Sequence, residues 1–322
     1  MQSLLALTLL TAASGFSVLP APRLSPALSA TPNAPHIYAG KYHDELIATA
    51  TTMVGVGKGL LACDESTGTV GTRLEANGME NTEQNRQKWR NLLFTTPGLG
   101  EYISGAILFE ETLFQSDPSG KPFVDVLRGN GIIPGIKVDT GLRPLLCGGE
   151  GENWCTGLDS LAERTAKYYE QGARFAKWRT AVRIDVSAGC PTDLAVDVAA
   201  TDLARYARIC QENGLVPIVE PEILIDGTHD IATTARVQER LLSTVYKKLR
   251  ENGVLLEGSL LKPSMTVPGV GCSDKSDPAT IAKMTVQLLA RAKANSEASV
   301  GKYVPGSQPS IEESLFVKNY VY

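Results

Sequence analysis

Histidine is scarce in this 322-residue sequence: His36, His43 and His229 are the only copies, and none belongs to a helical pair or a cluster with carboxylates. That argues against a catalytic metal held by imidazoles, so no metal ligands are assigned. The six cysteines, Cys63, Cys147, Cys155, Cys190, Cys210 and Cys272, lie far apart, without the density of a disulfide scaffold or the spacing of a zinc knuckle. A reducing compartment is the natural inference. No Gly-x-Gly-x-x-Gly or P-loop pattern follows any apolar run, which disfavours dinucleotide and P-loop enzymes. Positive charge is also short: 31 Lys and Arg face 35 Asp and Glu, a net charge of -4, leaving no basic face to follow a nucleic-acid backbone. Cofactor-free chemistry is therefore expected, with small partners, anionic ones included, left open.

What is present is a globular composition, 43% hydrophobic and 20% charged, enough for a sizeable core. Six apolar runs occur in order: Gly59 to Cys63, Ile103 to Phe109, Ile132 to Val138, Ala173 to Ala176, Leu215 to Val219, and Val254 to Leu261. At or just past their ends stand Asp64, Glu110, Asp139, Lys177, Glu220 and Lys262. Spacings of roughly 30–45 residues fit repeated strand-helix units and a parallel sheet. Helices are predicted over Asn81 to Thr95, opened by an Asn81 to Gln84 capping box, and Leu158 to Gln171, stopped by Gly172. Others are predicted over Pro191 to Asn213, His229 to Asn252, and from Pro278 behind Asp277. Polar residues at the carboxyl ends of parallel strands are how a (β/α)8 TIM barrel builds its active site. An open doubly wound sheet is the alternative.

Lys262, closing the last run just before Pro263, is the residue on which function turns. An amine with a pKa near ~10.4 is protonated and inert, whereas apolar burial and a neighbouring cation can free it to attack a carbonyl. A lone lysine there would more simply snorkel past a buried strand. Its company favours the first reading: "LACDEST" at 61–67, "GIKVD" at 135–139, "FAKWR" at 175–179, "VPIVEPEIL" at 216–224 and "LLKPSM" at 260–265. In this order the motifs resemble class I fructose-bisphosphate aldolase of the plastid type. The resemblance runs from about Tyr42 through Gln287 and resumes from Arg291 to Tyr322.

The resemblance implies a Schiff-base mechanism without cofactor or metal. Lys262 is the imine-forming lysine, and Glu220 the general acid/base for imine formation and hydrolysis, with Glu222 beside it. Lys177 is a second active-site lysine that depresses the amine and stabilises developing negative charge; Asp64 manages the hydroxyl proton during cleavage. Tyr322 assists proton exchange at the carbanion from a C-terminal tail. Lys137, Ser66, Arg73, Arg179 and Arg86 suit substrate phosphates or orient the carboxylates, Lys137 foremost; Arg86 lies on a helix face where a solvated charge is the common outcome. The two carboxylates of Glu220 and Glu222 also fit plain neutralisation of nearby lysines.

The chain departs from the family after Lys262. The family continues with a seventh strand carrying a Gly-Gly-Gln-Ser phosphate loop and an eighth carrying a Tyr/Phe-x-Arg-Ala segment, and neither follows here. The helix from Pro278 to Leu289 runs directly into Ala290 to Ser299, which resembles the family's terminal helix. Two units, at least roughly 60 residues, are skipped near residues 288–291. The expected architecture is an incomplete TIM barrel of six βα units with a C-terminal helix and tail, its closure in question and one phosphate grip lost. Two functions follow: cleavage of fructose 1,6-bisphosphate to dihydroxyacetone phosphate and glyceraldehyde 3-phosphate, in glycolysis or the Calvin cycle, or a catalytically impaired splice or gene-model variant acting at most as an oligomer partner. A transaldolase-like enzyme is not supported by "EPE" and "AKWR".

Residues 1–35 are expected to be a bipartite targeting leader. Leu4 to Ala13 is a signal-like apolar stretch too short to span a bilayer, ending in small residues to Gly15. Phe16 to Pro35 has Arg23 as its sole charge and abundant Ser, Ala and Pro, like a transit peptide. Phe16 stands where leaders of complex plastids carry an aromatic residue. Plain secretion competes, and the free cysteines argue against it. Residues 36–322 then form the barrel domain, expected in the chloroplast stroma, off the membrane once mature, binding a phosphorylated sugar and no nucleic acid. A homo-oligomer, a tetramer by the resemblance, is expected.

Overall fold

In the computed structural model, which describes residues 38–298, short apolar stretches line up as one parallel sheet, each joined to the next by a helical crossover. The strands are β1 Gly59–Cys63, β2 Ile103–Leu108, β3 Ile133–Lys137, β4 Gly141–Pro144, β5 Asn153–Thr156, β6 Phe175–Val182, β7 Val216–Ile223 and β8 Leu260–Leu261. The sheet order is β1-β2-β3-β6-β7-β8, every neighbouring pair parallel. Between β3 and β6, β4 and β5 form a separate antiparallel ribbon. Sheet order follows chain order without the reversal that defines a doubly wound sheet, so that alternative is set aside. Among the described residues β1 and β8 each have one neighbour, and the sheet is an unclosed barrel wall of six strands.

Strand alternation sends side chains to two apolar clusters. Ala106, Leu108, Ile136, Ala176, Trp178 and Val219 pack with the helices Asp193–Glu212 and Ile231–Glu251. Ile107, Phe175, Val216, Ile218 and Leu260 pack instead with Leu46, Ala50 and Met53 of the helix His43–Met53. Each large side chain so buried contributes about 1.5–3 kcal/mol. Close packing of the second cluster requires a glycine: a Cβ on Gly135 would stand 2.2 Å from the Phe175 ring. Behind the sheet, the buried hydroxyl of Tyr206 donates its one proton between the carbonyls of Ala176 and Ile218, 2.9 and 3.0 Å away. It thereby ties β6 to β7 beside Lys177 and Glu220.

Several boundaries correct the sequence reading. Helix Glu83–Phe94 is capped by Thr82, whose Oγ1 accepts from Asn85 N at 3.2 Å, rather than by an Asn81 box. Asn81 is engaged elsewhere, donating to Thr67 O and accepting from Arg86 Nη1. The next three predicted helices begin two or three residues later than expected, at Leu161, Asp193 and Ile231, the last two capped by Thr192 and Asp230. The run from Val254 to Leu261 is strand only at its last two residues; a 3-10 turn occupies Leu256–Gly258. Buried Gln211 satisfies Leu255 N, Leu255 O and Gly258 O with its side chain, so this backbone has no need of a ladder partner. In β6 and β7 the strands continue through the polar residues instead of stopping before them.

Candidate active site

The lengthening of β6 and β7 builds the site. Within a strand, residues two apart share a face, so Lys177 and Arg179 of β6 stand above one another, as do Glu220 and Glu222 of β7. The register sets Arg179 beside Glu220, so each cation reaches diagonally forward: Lys177 to Glu220, and Arg179 to Glu222. Two layers of charge result.

The lower layer joins four residues from four strands, two within β6 and β7 and two just past β1 and β8. Lys177 Nζ lies 2.6 Å from Asp64 Oδ2, at the end of β1, and 3.4 Å from Glu220 Oε2. Glu220 Oε1 contacts Lys262 Nζ, just past β8. Oε2 of Glu220 is buried without a hydrogen-bond donor, so its approach to Lys177 is an ion pair lacking hydrogen-bond alignment. Burial works against the charge of Lys177, but Asp64, then Glu220 and Asp139, hold its ammonium above the ordinary lysine range. Lys177 is thus held toward its charged form, separated from the Lys262 amine by the shared Glu220 carboxylate.

Around this core the remaining predicted residues divide. Lys137, in register with Lys177, pairs with Asp139 Oδ1 at 2.6 Å and donates to its carbonyl at 2.9 Å. Asp139 Oδ2 also accepts from Arg179 N at 3.4 Å, linking the layers. The structure joins Glu222 to Arg179, not to either lysine of the lower layer. Ser66 caps the helix Thr67–Glu75, its Oγ accepting from Thr69 N at 3.3 Å, and Arg73 in the last turn pairs with Glu65. Arg86 is not a solvated helix charge: it forks onto Glu111 at 2.9 and 2.6 Å, since Glu111 lies opposite its helix face. Tyr322 and the leader lie outside the described residues.

Two participants escaped the sequence reading, and a third was read only in part. Arg90 is buried, donating to Glu65 Oε2 at 2.8 Å and Glu65 O at 2.9 Å, and so clamps the backbone between Asp64 and Ser66. Nothing in the sequence marks it, because a helical arginine ordinarily faces water. Glu65 was hidden as the neighbour of a better candidate. Asp139 was visible as a strand-end carboxylate, but its partners depend on strand register. Among the described residues no group of three His, Cys, Asp or Glu side chains is disposed to hold a metal, and no helix is long and apolar enough to cross a membrane.

A parallel barrel wall whose strand ends carry two lysines sharing a carboxylate, with a second carboxylate on the buried one, has the equipment of a barrel enzyme working by amine chemistry on a carbonyl. Residues 45–291 match the family model described as fructose-bisphosphate aldolase class-I. The chain is 57% identical over 255 residues to the chloroplastic fructose-bisphosphate aldolase 3 of Arabidopsis thaliana, covering 79% of this chain and 64% of that protein. Against the chloroplastic fructose-bisphosphate aldolase 1 of Pisum sativum the identity is 54% over 279 residues, covering 87% and 77% respectively. Among solved structures, fructose-bisphosphate aldolase of Plasmodium falciparum, crystallised with TRAP and a small-molecule inhibitor, superposes with a TM-score of 0.79 at 52% identity. That match covers 82% of this chain and 76% of the other. The chain belongs to the class-I fructose-bisphosphate aldolase family.

Proposed function

We propose that this chain is a Schiff-base aldolase that reversibly cleaves fructose 1,6-bisphosphate to dihydroxyacetone phosphate and glyceraldehyde 3-phosphate. The observation that carries the reading is the run of contacts Lys262–Glu220–Lys177–Asp64. Glu220 takes a proton from Lys262, whose Nζ attacks the ketone carbon; the carbinolamine loses water as Glu220 returns that proton to the leaving hydroxyl, giving an iminium. Asp64 takes the proton of the hydroxyl next to the scissile bond, the carbon-carbon bond breaks to form the aldehyde, and its electron pair passes into the iminium as a neutral enamine. The Lys177 ammonium stabilises the negative charge that develops on the hydroxyl oxygen as its proton leaves. Tyr322 assists protonation of the enamine, and hydrolysis through Glu220 releases the ketone and restores the amine.

Lys137, Arg179, Ser66 and Arg73 line the approach for the anionic substrate, with Glu222 orienting Arg179. Family membership and the retained charge cluster favour an active enzyme over an impaired oligomer partner. Residues 1–35 are read as a bipartite leader to the plastid, in keeping with the chloroplastic relatives, and 36–322 as the enzyme domain, assembling as a homotetramer. Borohydride reduction in the presence of dihydroxyacetone phosphate, followed by peptide mass mapping, tests the central claim: a stoichiometric adduct on Lys262 supports it, and an adduct elsewhere or none overturns it. A leader fused to a fluorescent protein and light scattering of the mature chain test targeting and assembly.

A further inference from the structure

The strand that presents Lys262 is only two residues long and has one neighbour among the described residues, so ladder hydrogen bonds alone hold it poorly. Upstream, Gln211 takes over, as described above. Downstream, the work falls on Gln238, a fully buried residue of the helix Ile231–Glu251. Its Nε2 donates to Ser264 O at 2.6 Å, and its Oε1 accepts from Thr266 Oγ1 at 2.8 Å. Ser264 in turn accepts, through Oγ, the amide of Ile223 at 2.8 Å, the residue following Glu222 on β7. Thr266 N donates to Thr285 Oγ1 at 2.9 Å. The two ends of one side-chain amide thus hold the Ser264 carbonyl and the Thr266 hydroxyl, two and four residues past Lys262, while Ser264 Oγ fastens the same segment to the strand that carries Glu220.

We propose that Gln238 is a positioning residue for Lys262, its bridge between the Ser264 carbonyl and the Thr266 hydroxyl keeping the lysine amine on the Glu220 carboxylate. The proposal rests on the Schiff-base reading. A buried glutamine on the helical side of the sheet touches no substrate, and its effect is transmitted along Ser264 and Pro263. Misplacement of a reacting group by about 1 Å is enough to cost about a hundredfold in rate. A group that merely stabilised the fold would lower the amount of folded protein without slowing the folded molecules.

The full chain is compared with Gln238→Met, which keeps length and apolar bulk but loses both polar ends, and with Gln211→Met, the matched loss before the strand. For Gln238→Met, kcat falls about ten- to a hundredfold with KM within about twofold, and borohydride-trapped adduct at Lys262 forms correspondingly slowly per folded molecule. Gln211→Met lowers the melting temperature by a similar amount but slows trapping less than about threefold. Should Gln238→Met fold too poorly to assay, Thr266→Val removes one arm of the bridge and is expected to slow trapping about threefold. Unchanged trapping per folded molecule in either variant overturns the proposal. If the unsubstituted chain gives no adduct with dihydroxyacetone phosphate, the Schiff-base reading has failed. Positioning is then read from reductive methylation by formaldehyde and cyanoborohydride: Gln238→Met must change labelling of Lys262 relative to Lys137 at least about threefold, and equal labelling refutes it.

Discussion

Two lysines on the same sheet share one carboxylate and live in different physical regimes. Lys177 sits in the middle of an eight-residue strand paired on both sides, its side chain 7% exposed, with Asp64 and Glu220 both within ion-pair reach. Lys262 follows a two-residue strand at the sheet's edge, its side chain 37% exposed, with Glu220 as its one carboxylate partner among the described residues. A buried ammonium neutralised by two carboxylates is a fixed charge: it can stabilise an anion, but it cannot readily give up a proton. A partly open amine on a lightly held strand can meet an incoming carbonyl. In the proposed mechanism the same residue type becomes electrostatic ballast or nucleophile according to how many carboxylates and neighbouring strands surround it.

Deleting each amine breaks the contrast most directly. Lys262→Met should remove the trapped adduct and lower cleavage by on the order of 10³-fold or more. Stability should fall by about 1–3 kcal/mol, because the Lys262 end of the pair is partly solvated while the Glu220 carboxylate is buried and loses its donor. Lys177→Met should do the reverse in proportion. Activity falls about 10²–10³-fold, and chemical denaturation reports a loss of about 3–5 kcal/mol because two carboxylates are left without their buried cation. Its pH signature follows from the direction of the shift. The folded-state pKa of Lys177 lies above its unfolded value, so its stabilisation is complete below the ordinary lysine pKa and vanishes as pH rises through the folded value. Lys177→Met should therefore flatten the alkaline limb of the stability profile, measured by urea midpoint from neutral to strongly alkaline pH.

The asymmetry between the two lysines was only half legible in the sequence. Apolar runs followed by Asp64, Lys177, Glu220 and Lys262 announced a parallel sheet carrying charged groups, because strand period and buried hydrophobicity are local properties. The skipped units after Lys262 likewise announced the unclosed wall. Contacts set by register were not legible: that Lys177 reaches Glu220 and Arg179 reaches Glu222 follows from a diagonal offset between β6 and β7 that no single strand encodes. Nor were the groups acting from behind the sheet, since Arg90, Gln211 and Gln238 sit on helices where polar residues ordinarily face water. The strand predicted from Val254 failed for the same reason, as a buried glutamine supplied the partners a ladder would have offered.

Another buried charge sharpens the comparison from the opposite side. Asp202, on the helix Asp193–Glu212, is buried with its Oδ2 lacking a hydrogen-bond partner, and burial, against the pull of Arg205, pushes it up to about 6. Inside the sheet the carboxylates meet lysines; behind it this one meets little. Its folded pKa lies above the unfolded value near ~3.9, so ionisation costs the folded state stability as pH rises through that interval. Asp202→Asn should match the parent at pH 4 and exceed it by about 2 kcal/mol above pH 7, after allowance for partial solvent access, in paired urea titrations. Equal stability at both pH values would show that the carboxyl finds compensation in the fold.

The smallest effect is expected one layer above the lysines. Glu222 pairs with Arg179 along the same diagonal that joins Glu220 to Lys177, yet the two side chains of the upper pair are 32% and 37% exposed. Geometry is repeated and solvent access is not, so this pair isolates burial as the variable. An exposed ion pair contributes about 0–1 kcal/mol, against several for a buried one broken on one side. Glu222→Gln should therefore shift the urea midpoint by no more than about 1 kcal/mol in equivalent stability, and added salt should erase most of the difference. Since the structure engages Glu222 with Arg179 and not with Lys262, the substitution should raise KM about two- to fivefold by loosening Arg179, and leave trapping at Lys262 within about threefold. A collapse of adduct formation in Glu222→Gln would instead put this carboxylate in the proton path of the imine. The layered division of labour between Glu220 and Glu222 would then be wrong.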